Sequence, residues 1–98
     1  METKERDRII ELYDIYGSLL TEKQRCYFED YYYSDLSISE IAESYNISRN
    51  GVHDQLKRVI HSLNGYEESL KLKEKMDNIN NLKIDDKIKD AILSILKE

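Results

Sequence analysis

Two apolar stripes of helical period lie on either side of a short break at "NIS", residues 46–48. No other feature constrains the fold of this chain as tightly. Before the break, Ile38, Ile41, Ala42 and Tyr45 recur at i, i+3, i+4 and i+7. After it, Val52, Leu56, Val59, Ile60 and Leu63 form a second stripe. That spacing places each set on one face of an α-helix, which must bury it against another apolar surface. The residues of the break fit a tight corner between the two helices. Asn46 tolerates the left-handed backbone needed where a helix stops sharply. Ile47 offers an apolar plug for the turn, Ser48 a cap for the second helix, and Ala42 a small side chain where the helices meet. Together these residues predict a helix-turn-helix over "ISEIAESYNISRNGVHDQLKR".

The rest of the chain reads as helix too. It has no proline and three glycines in 98 residues, so little interrupts a helical backbone. A first helix is expected from near Thr3, burying Ile9, Leu12, Tyr13, Tyr16, Leu19 and Leu20, and ending at Gly17-Ser18. A second is expected from Thr21 to about Tyr32 or Tyr33, because "TEKQ" has the spacing of a capping box. Its inner face would carry Phe28, Tyr31 and Tyr32. Three adjacent tyrosines cannot share one face, so at least one of Tyr31, Tyr32 and Tyr33 is exposed. Ser37 and Glu40 box the third helix in the same way, and Asn64-Gly65 is expected to end the fourth. A fifth is expected over about Tyr66 to Met76, with Leu70 and Met76 inward and "DNINN" as its breaker. Asp85 or Asp86 would cap a last helix bearing Ile88, Ala91, Ile92, Ile95 and Leu96 on one face. A short helix with that stripe must dock on its own domain or on a second copy. The expected class is therefore all-α. Residues 1–65 would form the helix-turn-helix domain, and residues 66–98 a helical extension for docking or dimerisation.

The segment "LTEKQRCYFEDYYYSDLSISEIAESYNISRNGVHDQLKR" resembles region 4 of bacterial sigma factors. More closely, "ELYDIYGSLLTEKQ", "YYYSDLSISEIAE", "ISRNGVHDQLKR" and "YEESLKL" resemble the YlxM family of small helix-turn-helix proteins. The resemblance covers about Ile9 to Leu72. It implies a sigma-region-4-like helix-turn-helix with additional carboxy-terminal helices. Genes of that family commonly lie beside those for signal recognition particle components. The resemblance therefore also implies a link to that pathway, with the particle's RNA or its GTPase as partner.

If the second helix of the motif reads DNA, its first turns face the groove. Opposite its apolar stripe lie Arg49, Asn50, His53, Asp54 and Lys57, with Arg58 to one side. By the resemblance to sigma region 4, Ser48, Arg49, Asn50 and His53 hold contact positions. Arg49, Asn50 and His53 would read bases, while Lys57 and Arg58 would hold phosphates. The chain departs from the sigma pattern at Gly51 and His53, where strong readers often carry basic residues, and at Asp54, which has the wrong sign for phosphate.

The formal net charge is −5, which opposes nucleic-acid binding overall, but its distribution is uneven. Residues 1–47 hold five basic and eleven acidic side chains; residues 48–65 hold three basic and one acidic. The net-basic block coincides with the candidate reading helix, as a small nucleic-acid footprint would. A homodimer would double those cations and present paired helices, and the stripe Ile84, Ile88, Ile92, Ile95 is the expected contact.

Other chemistry is not expected. His53 and His61 stand about 12 Å apart along a helix, too far to share a metal, and no phosphate loop or nucleophile elbow occurs. The chain is expected to be a non-enzyme without cofactor or metal. Its lone cysteine, Cys26, suits a reducing, cytoplasmic setting and is expected to be a small buried residue. No apolar run approaches the roughly 18 residues of a membrane span.

Overall fold

The computed structural model describes residues 3–97. Six helices account for nearly all of them: α1 Thr3–Tyr16, α2 Glu22–Tyr32, α3 Ile38–Tyr45, α4 Arg49–Leu70, α5 Leu72–Asn80 and α6 Asp86–Lys97. A single 3₁₀ turn, Gly17–Leu19, follows α1. No strand occurs among the described residues, and the protein is all-α.

Local capping chemistry sets several boundaries. Thr21 Oγ1 accepts from the Gln24 N–H while Gln24 Oε1 accepts from the Thr21 N–H, starting α2. Ser37 and Glu40 repeat the exchange at α3. Each box satisfies two backbone donors that a helix start leaves open. At α6, Asp85 Oδ1 accepts from the Lys87 N–H at 2.7 Å, so Asp85 is the capping aspartate.

Helix α4 organises the interior, and its apolar stripe serves two clusters. Val52 and Leu56 pack with Tyr27, Ile41 and Ala42. Val59 and Leu63, two turns later, pack with Ile9, Leu12, Tyr16, Leu20, Phe28 and Tyr32. The first cluster locks α3 against α4, and the second fastens that pair to α1 and α2. Aromatic rings reinforce the second cluster: Tyr13 stacks on Phe28 with centroids 4.0 Å apart. The Tyr13 and Tyr16 hydroxyls reach carboxylates at the edge of this cluster, Tyr13 donating to Glu29 and Tyr16 to Glu67, each at 2.6 Å. Of the three adjacent tyrosines, Tyr32 is buried and Tyr33 is the exposed one, its ring edge-on to Tyr13 and Phe28.

Several expectations fail. Helix α4 does not stop at Asn64-Gly65 but continues to Leu70. Gly65 keeps a negative φ there, and Asn64 takes a hydrogen bond from Arg8 on α1 at 2.7 Å. The break comes instead at Lys71, with φ 56°. The fifth helix is consequently Leu72–Asn80, and most of "DNINN" is helical within it. Met76 points inward, but Leu70 remains 46 % exposed, while Tyr66 and Leu72 on either side of it pack against the core. Leu19 is 54 % exposed, since the 3₁₀ turn rotates it outward and hands its place to Leu20. Cys26 is also exposed, on the outer side of α2, while Tyr27 and Phe28 take the buried positions.

Candidate nucleic-acid interface

The corner between α3 and α4 is built by backbone geometry at one residue. Asn46 adopts φ 55°, ψ 48°, the left-handed conformation. This lets the Asn46 N–H reach the Glu43 carbonyl and the Ile47 N–H reach the Ala42 carbonyl at 3.0 Å. The pair is a Schellman closure, which satisfies carbonyls that the end of α3 would otherwise leave open. Ser48 then starts α4, its Oγ accepting from the Gly51 N–H at 2.9 Å. Gly51 suits this cap, because a Cβ there would lie 3.2 Å from Ser48 Oγ. Ala42 is buried at the contact between the helices, whereas Ile47, at 36 % exposure, sits at the rim of the turn rather than inside it.

Above this corner α4 presents its polar side. Ser48, Arg49, Asn50, His53, Asp54, Lys57 and Arg58 are all exposed. Burial of Val52, Leu56 and Val59 on the other side leaves them no alternative. Among the described residues, Lys57 and Arg58 enter no salt bridge, and neither does Arg49. Arg49 has a different partner: its Nε–H donates to Ser39 Oγ on α3 at 2.9 Å. The guanidinium thus turns back across the corner instead of running forward along α4. Ser39 is the member of this surface that sequence reasoning missed. It lies ten positions from Arg49, and only the crossing of the two helices brings them together.

Two acidic features border the surface. Asp54 stands among the exposed cations, and Glu40 lies at the start of α3. Hydrogen bonds from the Ser37 backbone and hydroxyl hold the Glu40 carboxyl below its ordinary pKa. It therefore stays ionised at neutral pH. Among the described residues, no group of three or more His, Cys, Asp and Glu side chains could hold a metal ion. None of the described helices is long and apolar enough to cross a membrane.

Fold and surface together define an all-α helix-turn-helix protein. Residues 3–97 match the family described as "UPF0122: Putative helix-turn-helix protein, YlxM / p13 like". The chain belongs to that family. It is 55 % identical over 69 residues to a UPF0122 protein of Desulforamulus reducens, covering 70 % of this chain and 59 % of that relative. It is 52 % identical over 81 residues to one of Caldanaerobacter subterraneus, covering 83 % of this chain and 68 % of the relative. A Lactococcus lactis UPF0122 protein is 47 % identical over 72 residues, covering 74 % of this chain and 65 % of the relative. The chain thus spans about three fifths to two thirds of the length of these relatives.

Proposed function

We propose that this protein is a regulatory DNA-binding protein that engages duplex DNA through the α3–α4 corner. The observation that carries this reading is the exposed polar side of α4, where Arg49, Lys57 and Arg58 have no carboxylate partner among the described residues. Cations left unpaired on a helix that follows a tight turn are suited to phosphate. In this reading Asn50 and His53, between them, meet base edges, with Ser48 at the entrance. The local charge surplus is small, so affinity rests on few phosphate contacts, and the salt slope is correspondingly shallow, about 0.9 for each contact. Binding to a labelled DNA duplex, followed by fluorescence anisotropy across a salt series, tests this. The Arg49→Glu, Lys57→Glu double variant should abolish the salt-dependent signal. An unchanged affinity would remove α4 from the interface.

A second reading is favoured by the net charge of −5, which weakens long-range attraction to any nucleic acid and so speaks most for the protein partner within it. In it, the same face holds the RNA or the GTPase of the signal recognition particle. Salt-sensitive binding to either of these, with none to duplex DNA, would select it over the first.

The working unit in our proposal is a homodimer, with the carboxy-terminal helices as its contact. Helix α6 has no fully buried residue. Leu93 and Leu96 border clefts against Ile15 and Met76, while Ile88 and Ile95 are 54 % and 70 % exposed on the other side. Ile88 and Ile95 stand equally far from the midpoint between Ala91 and Ile92. An antiparallel two-fold pairing therefore sets each Ile88 against the second copy's Ile95, around a small central Ala91. Sedimentation equilibrium should give about twice 11.7 kDa, and Ile95→Lys should return the monomer. A wild-type mass of one chain at micromolar concentration would contradict the dimer.

A further inference from the structure

Arg49 would ordinarily be assigned to base reading from its place at the start of α4. The structure gives it a different posture. Its Nε–H is committed to Ser39 Oγ on α3, 2.9 Å away, and no carboxylate neutralises it among the described residues. We propose that Ser39 is a positioning residue, which holds Arg49 as a phosphate clamp at the edge of the groove rather than as a base reader. This rests on the DNA-binding reading above and specifies one contact within it.

Three physical points support the assignment. First, the guanidinium has five N–H donors in a rigid fork. With Nε–H given to Ser39, the two Nη groups remain, and together they match the paired oxygens of a phosphate. Second, in a helix-turn-helix the first helix crosses the DNA backbone while the second enters the groove. A guanidinium tied to α3 is therefore held where phosphates run. Third, an arginine on a surface is costly to immobilise, and a pre-set hydrogen bond removes part of that cost before binding. Ser39 itself is exposed and sits in the first turn of α3, with no role in the core. Base reading is then left to Asn50 and His53.

The test uses the full chain and a labelled DNA duplex of random sequence, with anisotropy measured between about 50 and 200 mM salt. Arg49→Gln should reduce the slope of log K against log salt by about 0.9, the value for one phosphate contact. It should weaken all duplex sequences evenly. Ser39→Ala keeps the cation but frees it. Binding should then weaken about two- to tenfold, from the added ordering cost, at an unchanged salt slope. Ser39→Thr, which retains the hydroxyl, should restore wild-type affinity. In the Arg49→Gln background, Ser39→Ala should have no further effect, because it acts only through Arg49.

The proposal is overturned if Arg49→Gln leaves the slope intact while the wild type binds. It is equally overturned if Ser39→Ala costs as much without Arg49 as with it. Wild-type protein with no salt-dependent duplex binding would withdraw the DNA-binding reading and this inference together. That outcome is read before any variant is made.

Discussion

Glu67 shows how much one side chain can organise. Its carboxylate accepts from the Tyr16 hydroxyl at 2.6 Å and from the backbone N–H groups of Lys73 at 3.0 Å and Glu74 at 3.1 Å. It thereby caps α5 from the preceding helix and ties both to α1. Partial burial pushes its pKa upward, but the Tyr16 hydroxyl, the two N–H donors and the Lys73 ammonium outweigh that and hold it below the ordinary value. Tyr16, losing solvent and donating to this carboxylate, is pushed up to about 12. A lowered carboxyl pKa stabilises the fold above the unfolded value, and the gain is lost as pH falls through the folded one. Glu67→Gln should therefore cost about 1 kcal/mol near neutral pH, the typical worth of a cap. The cost should fade as pH drops below about 4.3, the free carboxyl value. Urea midpoints of both proteins at several pH values measure it, and a difference independent of pH would contradict the account. Contacts like these were not legible in the sequence, because their partners lie 6 to 51 positions away. Asn46, Ser48, Thr21 and Ser37 were legible, because a cap reaches only two or three residues along the same chain.

Helix α4 carries the lesson at the level of elements. Asn64-Gly65 is a strong local stop, yet the helix runs on for another turn and a half. Tertiary contacts outweigh the local preference: Leu63 is buried beside Tyr16, Tyr66 packs against the same cluster, and Arg8 anchors Asn64. Gly65 is then a helical glycine with nothing within 4 Å of an added Cβ. Gly65→Ala should stabilise the protein by roughly 0.5–1 kcal/mol through helix propensity alone. A loss of stability on urea unfolding would show that the chain departs from helix at this point. The helices before α4 were legible because apolar period and capping signals agreed. The carboxy-terminal ones were blurred because their stripes are thin and their ends lack such agreement. Lys71 takes the left-handed break without any of the residue types that usually announce one.

The molecule as a whole is elongated, 50 Å long and 23 × 19 Å across, with a radius of gyration of 15.8 Å. A compact domain of this length would measure about 13 Å. The shape follows from the uninterrupted α4 and from α5 and α6 continuing beyond the core. It sets the helix-turn-helix corner and the exposed stripe of α6 on separate elements, so the DNA contact and the self-association we propose do not compete for one surface. The helix-turn-helix and the exposure of its polar side were legible in the sequence, since both follow from the apolar stripes. The Arg49–Ser39 link was not, since it depends on the angle between two helices. The charge pattern points the same way as the geometry, with the net-basic block at residues 48–65. The most direct test of the central claim is the anisotropy of a labelled DNA duplex titrated with this protein across a salt series. The expected result is binding that weakens as salt rises, with the modest slope of a few phosphate contacts, and that disappears in the Arg49→Glu, Lys57→Glu variant. Binding insensitive to salt, or equal binding by that variant, would contradict it.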